Sequence, residues 1–149
     1  MTFLRTVMFG VLAMAAFLLP SAAETQKGVY KVALHVDDND AAKMNLTLNN
    51  VQNIVRDFKK SGKKIEIEVV TYGPGLHMFR ADTSPVKARI EEIALANPNV
   101  TFSACGNTQS KMAKAEKKPI NLIHEAKLVP SGIVRLIELQ RQGYAYVKP

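Results

Sequence analysis

The chain has 149 residues, 47% hydrophobic and 22% charged, with 20 Lys and Arg against 13 Asp and Glu for a net charge of +7. This is the composition of one ordinary globular domain, neither disordered nor collagen-like. A single cysteine excludes an intramolecular disulfide framework, a C-x-x-C redox pair and a cysteine-rich zinc module. No stretch reads as a Walker A loop, an H-E-x-x-H helix, an EF-hand loop or a full G-x-G-x-x-G fingerprint.

The N-terminus reads as an address. Met1 to Thr6 carries one charge, Arg5; Val7 to Leu19 carries none, Pro20 breaks the run, and Ser21-Ala22-Ala23 sets small side chains where a signal peptidase cuts. The apolar run is short for a membrane span. The expectation is a signal peptide over 1–23, a periplasmic or secreted domain over 24–149, and no stable membrane insertion after cleavage. Export argues against nucleic acid as a partner for the basic residues. Eight of the lysines gather in two groups, Lys59, Lys60, Lys63 and Lys64, then Lys111, Lys114, Lys117 and Lys118. Both read as solvated surface, with attraction of a small anion or acidic partner as the functional alternative. In an oxidising compartment the unpaired Cys105 is either a buried, inert side chain or a free thiol kept for chemistry.

Tyr30 to Val36 is short and β-branched, bounded by Gly28 and Asp37-Asp38, and predicts a strand. Asn39 or Asp40 caps the next helix, along which Met44, Leu48, Val51, Ile54, Val55 and Phe58 recur at helical spacing until Ser61-Gly62. Ile65 to Thr71 is a second strand, leaving through a tight turn at Tyr72-Gly73-Pro74-Gly75. Ser84-Pro85 opens a second helix, with Val86, Ile90 and Ile93 as its buried stripe and Asn97-Pro98 as its stop. Val100 to Ala104 is a third strand ending at Cys105-Gly106, followed by a lysine-faced helix from Asn107 to Lys117. A short fourth strand lies near Lys127-Leu128-Val129. Ser131 caps a helix with Ile133, Leu136, Ile137 and Gln140 on its packing face, Gly143 ends it, and Tyr144 to Val147 is the last strand. Alternation of this kind predicts a single-domain three-layer α/β/α fold with a central, mostly parallel five-stranded sheet, a relative of flavodoxin-like folds.

Functional groups in such sheets gather beyond the carboxyl ends of the strands. Cys105 is the sharpest candidate there, because the amides of the helix that follows favour a thiolate, a nucleophile able to take up sulfane sulfur. The alternative is a small buried hydrophobe at the end of a core strand. His77 follows the Gly73-Pro74-Gly75 loop and is placed over the same edge as a base or cation partner, against a plain surface-loop reading. Gly73 and Gly75 shape that loop, which lacks the Lys-Ser/Thr of a P-loop. His35, inside an apolar strand, reads as a satisfied core group. His35, His77, Cys105 and an aspartate lack any diagnostic metal spacing, so neither a metal nor a cofactor is expected. No third residue or oxyanion site for a Cys-His hydrolase is identifiable.

The stretches F-S-A-C-G-N-T (Phe102 to Thr108), V-P-S-G-I-V-R-L-I-E-L-Q-R-Q-G-Y-A-Y-V-K-P (Val129 to Pro149) and V-T-Y-G-P-G-L (Val70 to Leu76) resemble the DsrE/DsrF-like family, and its secreted branch in particular. The resemblance implies a small α/β domain assembled into trimers or hexamers. It also implies sulfur-relay chemistry, with sulfur carried as a persulfide on a cysteine near the subunit surface. Cys105 matches that cysteine, with Gly106, Asn107 and Thr108 shaping its turn. The better-understood relays are cytoplasmic, so a tRNA-thiolation role does not fit an exported chain. The expected function is therefore a periplasmic sulfur carrier or sulfurtransferase-like protein using Cys105, with His77 as helper. Its partners would be a sulfur donor or acceptor protein or a small sulfur anion. The alternative is a non-catalytic oligomeric binding protein for a small anion or partner protein, with a structural cysteine.

Overall fold

The structure, a computed structural model, describes residues 28–149; the expected signal segment and its cleavage point lie outside the described residues. Strand β1 (Tyr30–Val36) leads into helix α1 (Ala41–Lys60). Asp40 starts that helix, its Oδ1 accepting the N–H of Ala42 at 2.7 Å and of Lys43 at 3.2 Å. These amides have no partner within the helix, so the cap contributes about 1 kcal/mol. Strand β2 (Ile65–Thr71) follows. Where a tight turn was expected, the chain instead winds through a seven-residue 3-10 helix, Gly73–Phe79. Helix α2 is shorter than the sequence suggests, Lys87–Ala96: the Ser84 hydroxyl takes the Val86 N–H at 3.4 Å, so the cap and proline precede the helix as a turn. Its stripe of Val86, Ile90 and Ile93 is buried as expected. Strand β3 (Val100–Cys105) runs directly into helix α3 (Gly106–Glu116), and β4 (Ala126–Val129), α4 (Gly132–Arg141) and β5 (Ala145–Val147) complete the order.

All four neighbouring strand pairs are parallel, in the order β4-β3-β2-β1-β5. Parallel neighbours require crossovers, and right-handed crossovers stepping one way along a sheet lie on one face. Accordingly, Met44, Leu48 and Val51 of α1 and Ile90 and Ile93 of α2 pack with Leu34, Val36, Ile67, Val69, Phe102 and Ala104 in the main core. Met112 of α3 joins from the same side. The chain then returns from β4 to β5 across the opposite face, where α4 sets Leu136 and Leu139 on Ala33 and Val70.

That second layer corrects the expected helix face. Leu136 and Leu139 are buried, whereas Ile133, Val134 and Ile137 are each about half exposed. At about 100° per residue the two groups fall on roughly opposite sides of the helix. Apolar residues run around α4, so their spacing alone could not choose the inner side. One helix also cannot cover a five-stranded face. Beside α4 an open groove of about 680 Å³ is lined by Glu66, Glu68, Ser103 and Lys127 of the sheet. Within it Glu68 accepts Arg135 Nε and Nη2 at 2.7 Å each and Ser103 Oγ at 2.6 Å.

Candidate functional site

The sheet topology places one crevice. At the carboxyl ends of the adjacent strands β3 and β4, the chain leaves β3 for α3 on one face and β4 for α4 on the other. Ligands of open α/β sheets bind where neighbouring strands diverge in this way. Cys105 stands there, 4% exposed, with the first residues of both helices around it.

Its surroundings are polar donors. Burial is the largest influence on the Cys105 thiol and opposes ionisation. The Thr108 hydroxyl and the N–H groups of Gly132, Thr108 and Asn107 outweigh it and hold the thiol below its ordinary value. No capping hydrogen bond of strict geometry reaches the Cys105 side chain, so these groups act as dipoles gathered at the sulfur. The Asn107 N–H also bonds Pro130 O at 3.2 Å, tying the β3 and β4 exits together. Thr108 is held from a third side, its Oγ1 accepting the Gly73 N–H at 3.0 Å. That bond uses an oxygen lone pair and leaves the hydroxyl proton for Cys105.

Four of the glycines do different work here. Gly73 takes φ +54°, a left-handed conformation that aims its N–H at Thr108. Gly75 answers a steric demand: a Cβ there would lie 2.2 Å from Val36 O, so the 3-10 helix crosses the end of β1 with no room for a side chain. Gly132, which sequence reasoning passed over, lets α4 approach; a Cβ there would be 3.1 Å from Tyr72 Cβ and 3.2 Å from Cys105 Cβ. Gly106, the first residue of α3, runs close under Val129 O, 3.2 Å from its would-be Cβ.

His77 is brought to the same edge but engaged elsewhere. Its Nδ1 pairs with Thr83 Oγ1 at 2.8 Å, and the polar groups acting on Cys105 come from Thr108, Asn107 and Gly132. With Tyr72, Gly73, Thr108 and Lys111 it lines an open cleft of about 500 Å³. His35 is a buried core residue, but only half satisfied. Its Nδ1 pairs with Tyr146 Oη at 2.8 Å, its ring lies on Tyr72 with centroids 4.5 Å apart, and its Nε2 has no partner. Burial, reinforced by Lys148 against the pull of Asp37 and Asp38, lowers its pKa below the ordinary histidine value. Among the described residues, no three His, Cys, Asp or Glu side chains converge as metal ligands would.

The DsrE/DsrF-like family matches residues 26–149. The chain belongs to that family. A solved structure similar to this DsrE-like domain is a protein of unknown function from Methanobacterium thermoautotrophicum. It is 30% identical, with a TM-score of 0.67 over 80% of this chain and 99% of that one. No curated protein matches the sequence.

Arg80 joins the segment after the 3-10 helix to α3, and sequence reasoning did not single it out. It is 1% exposed, with Nε and Nη2 on Asp82 at 2.9 and 2.7 Å and Nη1 and Nη2 on Glu116 at 2.5 and 2.9 Å. It therefore pins the end of the 3-10 helix segment to the end of α3. The only sequence signal was a lone arginine between Met78-Phe79 and the polar Asp82-Thr83-Ser84 stretch, which is not distinguishable from a surface residue.

Proposed function

We propose that this DsrE/DsrF-like protein is an exported sulfur carrier that holds sulfane sulfur as a persulfide on Cys105. The observation that carries this reading is the set of donors around one sulfur: the Thr108 hydroxyl with the Asn107, Thr108 and Gly132 N–H groups. Such a set stabilises a thiolate, the attacking form, and equally a persulfide anion one sulfur further out. In loading, the thiolate attacks the outer sulfur of a donor; the new Cys105 S–S bond forms as the donor's bond breaks, and its electron pair leaves with the donor. Delivery is the reverse, onto an acceptor thiolate. Family membership supports a sulfur-relay role. Export is supported by the Arg5, Val7-to-Leu19 and Ala23 pattern, and by a family match that begins at residue 26, just past the inferred cleavage point.

One observation favours the rival reading of a binding module with a structural cysteine: Cys105 is only 4% exposed. The purified protein incubated with polysulfide and weighed intact separates the two. A gain of one sulfur, removed by reductant and absent in Cys105→Ser, is the expected result. Iodoacetamide should also label Cys105 with a pH profile centred below that of an ordinary cysteine, because its thiolate persists to lower pH. No gain, together with a folded-state thiol that resists alkylation, would establish the structural reading.

Assembly belongs to the same proposal. Ile133, Val134 and Ile137 form an exposed apolar strip on α4, and Tyr146 and Val147 on β5 are also exposed. Apolar area of this kind is what a homo-oligomer interface covers. Light scattering should give the mass of a trimer or hexamer, and Ile137→Asp should lower it to a monomer without loss of helix content. A monomeric wild-type chain at micromolar concentration would overturn this.

A further inference from the structure

We propose that the cleft lined by Tyr72, His77, Thr108 and Lys111 docks a small anionic sulfane-sulfur donor of the thiosulfate class, with Lys111 and His77 holding its oxyanion end. This rests on the reading of Cys105 as the acceptor and names what loads it.

The cleft and the thiol share a wall. Thr108 lines the cleft and its hydroxyl acts on the Cys105 sulfur; Tyr72 lines the cleft and lies against Gly132, which in turn lies against Cys105. The donor reaches the sulfur past the Thr108 hydroxyl. At about 500 Å³ the cleft suits a small molecule rather than a protein surface.

Its electrostatics select an anion. The nearby carboxylates at the end of β1 are already neutralised, Asp37 by Lys148 at 2.6 Å and Asp38 by Lys43. Lys111 has no carboxylate partner among the described residues, and α3 carries no acidic residue in its first turn. His77 contributes a ring whose Nδ1 is fixed on Thr83, leaving Nε2 as its free nitrogen. One cation and one imidazole thus border a cleft that shares Thr108 with the Cys105 site. Repulsion of the dianion by the thiolate is the barrier to loading, and Lys111 is placed to offset it.

The reaction balances without an added oxidant. The Cys105 thiolate attacks the sulfane sulfur of thiosulfate, the Cys105 S–S bond forms, the sulfane-to-sulfonate S–S bond breaks, and its electron pair leaves as sulfite. One thiolate and one dianion become one persulfide anion and one dianion.

Thiosulfate binding to the Cys105→Ser protein, followed by calorimetry, tests docking apart from transfer. Binding that weakens about tenfold in Cys105→Ser/Lys111→Glu and a few-fold in Cys105→Ser/His77→Gln is expected, with sulfate competing. Alkylation of the single-site variants supplies a second readout. Lys111→Glu should slow anionic iodoacetate about fivefold and leave neutral iodoacetamide within about twofold. Thiosulfate affinity or iodoacetate rates unmoved by Lys111→Glu would overturn the docking site, even where polysulfide loads Cys105. Lys111-dependent binding with no sulfur appearing on Cys105 from any donor would instead overturn the carrier reading and leave the docking site standing.

Discussion

Gly75→Ala is expected to cost about 3 kcal/mol in chemical denaturation, and to cost more than Gly73→Ala. The ordering runs against backbone preference. Gly73 has the left-handed φ of +54° while Gly75 does not, so conformational strain alone would rank Gly73 first. Space decides the other way. A Cβ at Gly73 meets nothing nearer than Asp37 O at 3.9 Å, so that variant bears only the left-handed penalty of about 1–2 kcal/mol. A Cβ at Gly75 would lie 2.2 Å from Val36 O and 2.6 Å from Val36 C, both backbone atoms at the buried end of β1. No rotamer change relieves that, so the 3-10 helix must move off the strand. The Gly73 N–H moves with it, its bond to Thr108 Oγ1 lengthens, and Thr108 is freed from the wall of the Cys105 site. Faster iodoacetamide labelling of Cys105 in Gly75→Ala should accompany the lost stability. Equal unfolding midpoints for the two alanine variants would refute this account.

Arg135→Met is expected to destabilise the chain by about 3 kcal/mol, although Arg135 itself is 28% exposed. The loss comes from what is left behind. Glu68 is 4% exposed in the sheet and receives two bonds from Arg135 and one from Ser103. Without the guanidinium, a carboxylate stays in a site that water reaches poorly, held by a single hydroxyl. The cost falls at the low end of the range for broken buried pairs because the groove beside α4 admits some solvent. A second change should recover most of it. Glu68→Leu in the Arg135→Met background removes the stranded charge, and replacing a whole buried pair by apolar groups is often close to neutral. A single-variant deficit below about 1 kcal/mol, or a double variant no better than the single, would show that the pair is solvated and unimportant to stability.

The difference between these two sites shows which parts of the molecule are readable in advance. Neither Gly75, read only as shaping a loop, nor Glu68 shows its structural constraint in the chain. Gly75 sits in a Gly-Pro-Gly loop where a turn explains the glycine well enough, and Glu68 alternates with apolar residues as a solvent-facing strand residue does. Their importance comes from residues far away in sequence: Val36 against Gly75, Arg135 and Ser103 against Glu68. The same holds for Gly132, which only the meeting of α4 with Tyr72 and Cys105 makes necessary. The buried Arg80, satisfied by Asp82 and Glu116, belongs with them.

By itself, the chain determined its alternation of strands and helices, the limits of β1 and β2, a cap at Asn39 or Asp40, the α2 stripe and the location of Cys105 at a strand-to-helix junction. Those features follow from local periodicity, capping chemistry and β-branched runs, which act over a few residues. Only tertiary structure decided the strand order, the inner side of α4, the pairing of His77 with Thr83 rather than with Cys105, and the ring of donors around the sulfur. These depend on which segments meet once four parallel crossovers are closed. An apolar residue on α4 reads the same whether it faces Val70 or solvent, until the sheet beneath it exists.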